Sequence, residues 1–383
     1  MEKQIDNGTL TLFLKGRIDT TNSPAIEAEI NSIRAAEAHE HIVLDFDSVE
    51  YISSAGLRII LRLSKSENDA KLVNVSSEVY EILEMTGFTE LLPVSKAYRK
   101  LSVDGCDIIG EGSNGKVYRY SDDIIIKVYK NNDALADIHR ERELARTAFV
   151  LGVNTAIPYD VVKVGDKYGS VFELLSAKSL TKLIANDPTK KEEYVTIFSD
   201  MLKSIHKTHV KPGTLPSIRE TYLGYAAFLK DYLEPEYADK LYKLIEAVPE
   251  SDTMIHGDYH TNNVHYANGE AILIDMDTLA VGNPIFEFAS IFNAYKGFSL
   301  IDSGSAVNFL KINQELVDYI YSELFIKYFG TDDYFKYEDK CRLLGSARLL
   351  RRMIKRTPER TDKIEFLKKA IYELLDRTES LDM

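Results

Sequence analysis

His256-Gly257-Asp258-Tyr259-His260-Thr261-Asn262-Asn263, then the apolar run 271–274 and Asp275-Met276-Asp277, set an Asp, an Asn five residues later and a second Asp beyond a predicted strand. These residue types at this spacing suit chemistry on a metal-bound nucleoside triphosphate. Phosphoryl transfer asks the protein mainly to position reactants and neutralise charge. One carboxylate must orient the attacking hydroxyl while a carboxylate and an amide hold magnesium on the phosphates. Asp258 takes the first role in this reading, Asn263 and Asp275 the second. The competing reading is a polar turn before a hydrophobic strand, and the flanking elements decide between the two.

The elements that must position such a site lie upstream. Residues 106–109 read as a strand running into Gly110-Glu111-Gly112-Ser113-Asn114-Gly115-Lys116. A dinucleotide-binding turn would open a helix after such glycines. Here residues 116–120 alternate as a strand, Ser121-Asp122-Asp123 make a turn, and residues 124–129 form another strand. Glycines between antiparallel strands, with a lysine on the next strand, match the hairpin that covers phosphates in kinases. Gly110, Gly112, Ser113, Asn114 and Gly115 would lie against the phosphates of ATP, and Lys127 would reach the α and β phosphates. A lysine among isoleucines is costly to bury unpaired, so a partner is expected from the helix predicted over 137–151. Glu141 and Glu143 are both available there, with Glu141 favoured. Residues 168–175 form a strand ending at Glu173-Leu174-Leu175, where main-chain groups near Glu173 and Leu175 would meet the adenine.

Taken in order, glycine loop, lysine, glutamate helix, hinge, Asp-Asn loop and metal Asp resemble the protein-kinase-like superfamily. His-Gly-Asp with Asn five later, and Ile-Asp-Met-Asp, resemble its aminoglycoside phosphotransferase and choline kinase branch over residues 104–383. The resemblance implies an α+β bilobal fold, with an N-lobe over 99–178 and a helical C-lobe over 179–383. It also implies Asp258 as catalytic base, Asn263 and Asp275 as Mg2+ ligands and Lys127 as the phosphate lysine. Asp277 replaces the glycine of the usual Asp-x-Gly, either as a further ligand or as a turn cap. His256 is expected to orient the catalytic loop, and Glu287 stands where the family commonly has a bracing Asp. Only about a dozen residues separate Asp275 from the helix after Gly282-Asn283-Pro284, so a long activation segment has no room. This favours a small-molecule hydroxyl acceptor, with predicted helices over 191–209 and 220–247 building its pocket. A last helix over 342–375 carries Arg348, Arg351, Arg352, Lys355 and Arg356, either a solvated face or a site for an acidic substrate group. The 23 tyrosines, with no tryptophan, read as half-buried packing rather than an aromatic cage.

The first hundred residues alternate strands and helices, the pattern of an α/β layer. Ser23-Pro24 opens a helix with Ser as cap, 41–46 and 71–75 are strands, and Leu57, Ile60, Leu61 and Ser64 share the face of a second helix. Val79, Ile82 and Leu83 line a third, stopped at Gly87. Gly16-Arg17-Ile18-Asp19, the strand Leu-Asp-Phe and Tyr51-Ile52-Ser53-Ser54-Ala55-Gly56-Leu57-Arg58 resemble a STAS domain, the fold of anti-sigma factor antagonists, over residues 1–98. That resemblance implies a protein partner and a phosphoserine at Ser54. Ser53 replaces the Asp that usually precedes it, and the other reading of Ser54 is a helix N-cap.

Composition sets the class. The 383 residues are 45% hydrophobic and 28% charged, as in globular proteins that fold as two or three domains. The net charge of −13 argues against nucleic acid or an anionic membrane as partner. No apolar run approaches a membrane span and no secretory signal is visible, so a cytoplasmic protein is expected. Cys106 and Cys341, far apart, read as reduced thiols. The function expected is ATP-dependent transfer of a phosphoryl group to a small-molecule hydroxyl, with the STAS domain as regulatory or docking module. The alternative is a nucleotide-sensing switch or a kinase of a STAS serine such as Ser54.

Overall fold

Leu10, Leu12 and Leu14 alternate with partly exposed neighbours along the strand Thr9–Ile18, so one of its faces is buried, as a period of two requires. This strand pairs antiparallel with Glu2–Asp6 and parallel with His41–Ile52, and the parallel order continues through Ala70–Val75 to Val94–Lys96. Helices Ser23–Ala36, Ser54–Ser66 and Ser77–Met85 fall between the parallel strands. The result is the expected α/β fold. Its core gathers Leu44 and Leu72 from the sheet with Ile60, Leu63, Val79 and Leu83 from the helices, each such side chain contributing about 1.5–3 kcal/mol.

The computed structural model describes residues 1–67, 69–112, 115–132 and 134–383. It divides into two units, 1–102 with 162–165 and 103–161 with 166–383.

Three local expectations in the first unit change. Ser23 is the first residue of its helix and not the cap; Asn22 holds that position, because the Ser23 hydroxyl turns back to donate to the Asp19 carbonyl. In the second helix the cap is Ser53, whose Oγ accepts from the N–H groups of Ala55 (3.2 Å) and Gly56 (3.5 Å). Ser54, the first helical residue, is exposed. The buried face of that helix is Leu57, Ile59, Ile60 and Leu63 rather than a stripe through Leu61 and Ser64. It is set by Gly56, where an added Cβ would lie 2.7 Å from Ile52 and 2.8 Å from Ile18.

In the second unit, strands Asp107–Glu111, Gly115–Arg119 and Ile124–Tyr129 run as successive antiparallel neighbours, and Lys167–Glu173 pairs antiparallel with the third. Isoleucines and valines make this sheet. The helix Leu135–Val150 buries Ile138, Leu144, Ala145 and Ala148. At Gly115 an added Cβ would stand 2.2 Å from the Val128 carbonyl oxygen, so the glycine hairpin can close on the lysine strand only without a side chain. Gly115→Ala is expected to cost about 1–3 kcal/mol, read as a lower urea midpoint together with a raised KM for ATP.

The remaining chain is helical around small strand pairs. Met254–Ile255 pairs antiparallel with Ala280–Val281, so the segment between them leaves and returns at one place. Within it Val264–Ala267 and Glu270–Leu273 form a hairpin. Two long predicted helices are each two shorter ones, and at each junction stands a proline, which lacks the N–H that helix continuation needs. Helices Ile218–Leu229 and Pro235–Glu246 replace the span 220–247, with Pro235 starting the second. Helices Phe335–Arg356 and Thr361–Arg377 replace 342–375, parted at Thr357-Pro358. The sheet lobe and the helical lobe together make the α+β, kinase-like fold that the motif order implied.

Candidate active site

The floor of the cleft is a loop held from below. Gly257 has φ +79°, and an added Cβ would meet the Thr278 carbonyl oxygen at 2.6 Å, so this turn needs glycine. Glu287, wholly buried in the helix Ile285–Phe292, accepts from the main-chain N–H of His256 (2.6 Å) and of Gly257 (3.0 Å). The brace suggested by its position is thus present despite the longer side chain. His256 Nδ1 lies 3.3 Å from the Asp258 N–H and Nε2 lies 3.1 Å from the Ile274 carbonyl. The Nε2-protonated ring satisfies both contacts, tying the Asp258 turn to the strand before Asp275. The orienting role expected of His256 matches this geometry.

Asp258 projects upward from that turn. Its carboxylate is ringed by protein yet 43% exposed at the cleft floor, with Oδ2 3.6 Å from His260 Nε2. Burial acts to raise its pKa, but the nearby His260 ring, then Arg348 and His256, hold it below the usual carboxylate range. Asn263 Nδ2 donates to the Asp258 carbonyl at 3.0 Å. This fixes the amide so that its Oδ1 is the atom left for a cation. Two residues beyond the strand Glu270–Leu273 comes Asp275, which has φ 65°, a left-handed conformation uncommon for a residue with a side chain.

From the sheet lobe Lys127 reaches down, its Nζ 2.8 Å from Glu141 Oε1 and 3.4 Å from Asp275 Oδ1. Burial opposes the charge on Lys127, but Asp275 and then Glu141 outweigh it and raise its pKa above the ordinary lysine value. Glu141 is the lysine's partner, as favoured; Glu143 is exposed. The second Glu141 oxygen accepts from Tyr129 OH at 2.7 Å, and that hydroxyl lies 3.2 Å from Ser170 Oγ. Glu141→Gln is expected to raise KM for ATP about tenfold, the worth of one charge-assisted hydrogen bond at the phosphates, measured by steady-state kinetics at varied ATP.

Burial and then the neighbouring Asp275 carboxylate push Asp277 up to about 7, with Lys127 pulling the other way. Asp275 and its neighbour Asp277, with the Asn263 amide lining the same cleft as Asp275, offer hard oxygen donors of the kind magnesium takes. No cluster of three His, Cys, Asp or Glu exists among the described residues, so phosphate and water oxygens would complete the coordination.

Gly110, Gly112, Gly115, Lys127 and Glu141, the hinge residues Glu173 and Leu175, and Asp258, Asn263 and Asp275 all line one cleft of about 1350 Å3. Ser113 and Asn114 lie outside the described residues. At the hinge the Leu174 N–H donates to the Asp123 carbonyl at 2.8 Å, which leaves the neighbouring main-chain groups for any base bound there. Ser54 belongs to the other unit.

Several supporting residues escaped the sequence reading. Tyr129 sits two residues after Lys127, hence on the same strand face, a signal that was available. Arg348 was grouped with a basic cluster, yet its Nη1 donates to the Gly257 carbonyl at 2.8 Å. Tyr295, in a π-helical turn over Asn293–Gly297, accepts from the Thr261 N–H and donates to Thr261 Oγ1, both at 3.1 Å. Such a turn has no sequence period, though π-turns often mark functional sites.

A STAS domain model matches residues 1–101 and a phosphotransferase enzyme family model matches residues 106–305. The first region is 30% identical over 95 residues to BtrV of Bordetella bronchiseptica, named as an anti-sigma factor antagonist, covering 24% of this chain and 81% of that protein. It is 26% identical over 98 residues to the anti-sigma F factor antagonist of Paenibacillus polymyxa, covering 24% and 84%. Among solved structures, a thermostable mutant of aminoglycoside phosphotransferase APH(4)-Ia is similar at 13% identity and TM-score 0.49, over 71% of this chain and 94% of that one. ADP-bound APH(2'')-Ib is similar at 18% identity and TM-score 0.45, over 79% and 97%. With more than half its length matched by the second model and a STAS domain ahead of it, the chain belongs to the phosphotransferase enzyme family.

Proposed function

We propose that this protein transfers the γ-phosphoryl group of ATP to a hydroxyl of a small molecule, with residues 1–98 as a regulatory or docking module. The observation that carries this reading is the meeting of Lys127, Glu141, Asp275, Asn263 and Asp258 in one cleft. Lys127, held by Glu141, fixes the α and β phosphates, while the glycine hairpin covers them with backbone N–H groups. Asn263 Oδ1 and the Asp275 carboxylate would hold magnesium, which would supply neutralisation of the phosphate charge. Asp258 accepts the proton of the acceptor hydroxyl as its oxygen bonds to the γ-phosphorus; the bond from that phosphorus to the bridging oxygen breaks, and ADP leaves with the electron pair. Arg348 and Glu287 act through the loop, one donating to its main-chain carbonyl and the other accepting from its N–H groups.

The short passage from Asp275 supports a small acceptor over a protein. A turn Met276–Thr278, the strand Ala280–Val281 and the helix Ile285–Phe292 follow at once. The phosphotransferases among the similar structures are named for aminoglycosides, and such acceptors belong in any first panel. The reading is tested by following ADP release from magnesium and ATP with and without hydroxyl compounds. Acceptor-stimulated release supports it, whereas nucleotide binding with no stimulation by any acceptor favours a nucleotide-sensing switch.

The exposure of Ser54 at the start of its helix favours one second reading, phosphorylation of a STAS serine. A phosphate added there would place negative charge at the positive end of the helix dipole. Mass spectrometry of Ser53 and Ser54 after incubation with ATP, beside an Asp258→Ala control, decides it; no modification at either serine removes this reading.

A further inference from the structure

The basic cluster Arg348, Arg351, Arg352, Lys355 and Arg356 of the helix Phe335–Arg356 does not form one face. Arg351 and Lys355 lie over aromatic rings, the Arg351 guanidinium 4.5 Å from the Tyr225 centroid and Lys355 Nζ 5.1 Å from that of Phe228. Arg348, Arg352 and Arg356, spaced four apart, follow one stripe along the helix. Arg348 ends on the catalytic loop, and Arg352 and Arg356 line the same cleft as Asp258. The Arg352 guanidinium lies 5.6 Å from the Phe298 ring centroid. Among the described residues, no carboxylate stands within 4.0 Å of Arg352 or Arg356.

The surroundings add to this positive field. Arg360, also lining the cleft, is matched by Asp302 through two hydrogen bonds of 2.7 and 2.5 Å. Lys311 lines the same side. Burial, then repulsion from Arg356 and Arg348, lowers the pKa of Arg352, with Asp258 acting the other way. Like charges one helical turn apart repel each other, and both of these arginines nonetheless line the cleft. Guanidinium groups converging on a cleft beside a catalytic carboxylate form a fork for an oxyanion.

We infer that the acceptor is an anionic small molecule, a hydroxyl compound whose phosphate or carboxylate group is held by Arg352 and Arg356. This rests on the phosphotransferase reading of the cleft. The oxyanion ties down one end of the acceptor while its hydroxyl faces Asp258. A polycationic acceptor meets like charge at the same place.

The test uses the full chain with magnesium and ATP and three acceptor sets. Glycerol 3-phosphate, glucose 6-phosphate and glycerate are the anionic set; glycerol and glucose the neutral set; kanamycin and choline the cationic set. ADP formation with the anionic set is expected to exceed that with the other two. The double variant Arg352→Gln/Arg356→Gln is expected to raise KM for the anionic acceptor by about 10- to 100-fold, as loss of a charged hydrogen bond does. Arg352→Lys/Arg356→Lys should retain part of the affinity, and Lys355→Gln should match the parent protein. Both arginines are exposed, so the variants should fold, as a thermal unfolding curve checks.

Equal or better turnover of a neutral or cationic acceptor overturns the inference and leaves the phosphotransferase reading standing. So does an anionic acceptor whose KM the double variant does not move. Bound nucleotide with no ADP from any set overturns that reading and the inference together.

Discussion

Asp258→Asn is expected to lower kcat for phosphotransfer by about 10²- to 10⁴-fold, the usual contribution of a general base, with KM for ATP little changed. The amide keeps the size and hydrogen-bonding reach of the carboxylate but cannot take a proton. Because Lys127, Glu141 and Asp275 stand on other elements and hold one another, nucleotide binding is expected to survive. Burial would raise the Asp258 pKa, but His260, Arg348 and His256 hold it below the usual carboxylate range. Its folded pKa is therefore below the unfolded value of about 4. The stability contributed by the ionised form is present above that pH and lost only as pH falls through the depressed folded value. The base is thus ready across neutral and mildly acidic pH. Steady-state kinetics from pH 5 to 8 check both points, since an acid limb in this range would belong to another group.

Glu287→Ala is expected to destabilise the kinase-like unit by about 3–5 kcal/mol, the cost of breaking a buried charged contact and leaving its partners unmet. The side chain is fully buried and holds two adjacent N–H groups of the catalytic turn, at 2.6 and 3.0 Å. Its removal leaves both donors without their acceptor beside a new cavity. Glu287→Gln keeps the volume but turns an N–H donor toward one of the two N–H groups, so a smaller loss is expected. Urea unfolding followed by tryptophan-free probes, such as tyrosine fluorescence or circular dichroism, measures the order. Because the turn carries Asp258, kcat should fall in the folded fraction as well.

These two carboxylates differ in how the sequence announces them. Asp258, Asn263 and Asp275 stand at fixed spacing along one loop and hairpin, so short-range order makes them legible. Lys127 is legible because a lysine among isoleucines asks for a partner, and Glu141 answers from the next helix. Glu287 was found only by analogy of position, since its contact to His256 spans 31 residues. Arg348 reaches Gly257 across 91 residues, and no local period points to such a contact. Helix ends were misjudged where a side chain chose another bond, as Ser23 did with Asp19. Both overlong helices were interrupted near prolines visible in the sequence: Pro235 opens the second helix of its pair, and Pro358 follows the end of Phe335–Arg356. The apolar pattern on either side continued well enough to hide the interruption.

The fate of the γ-phosphoryl group tests the central claim most directly. Phosphorus NMR of the full chain with magnesium, ATP and pooled hydroxyl compounds should reveal a new phosphomonoester rising in step with ADP. Asp258→Asn should suppress it. Nucleotide bound by the parent protein with no ester and no ADP in any pool would contradict the account.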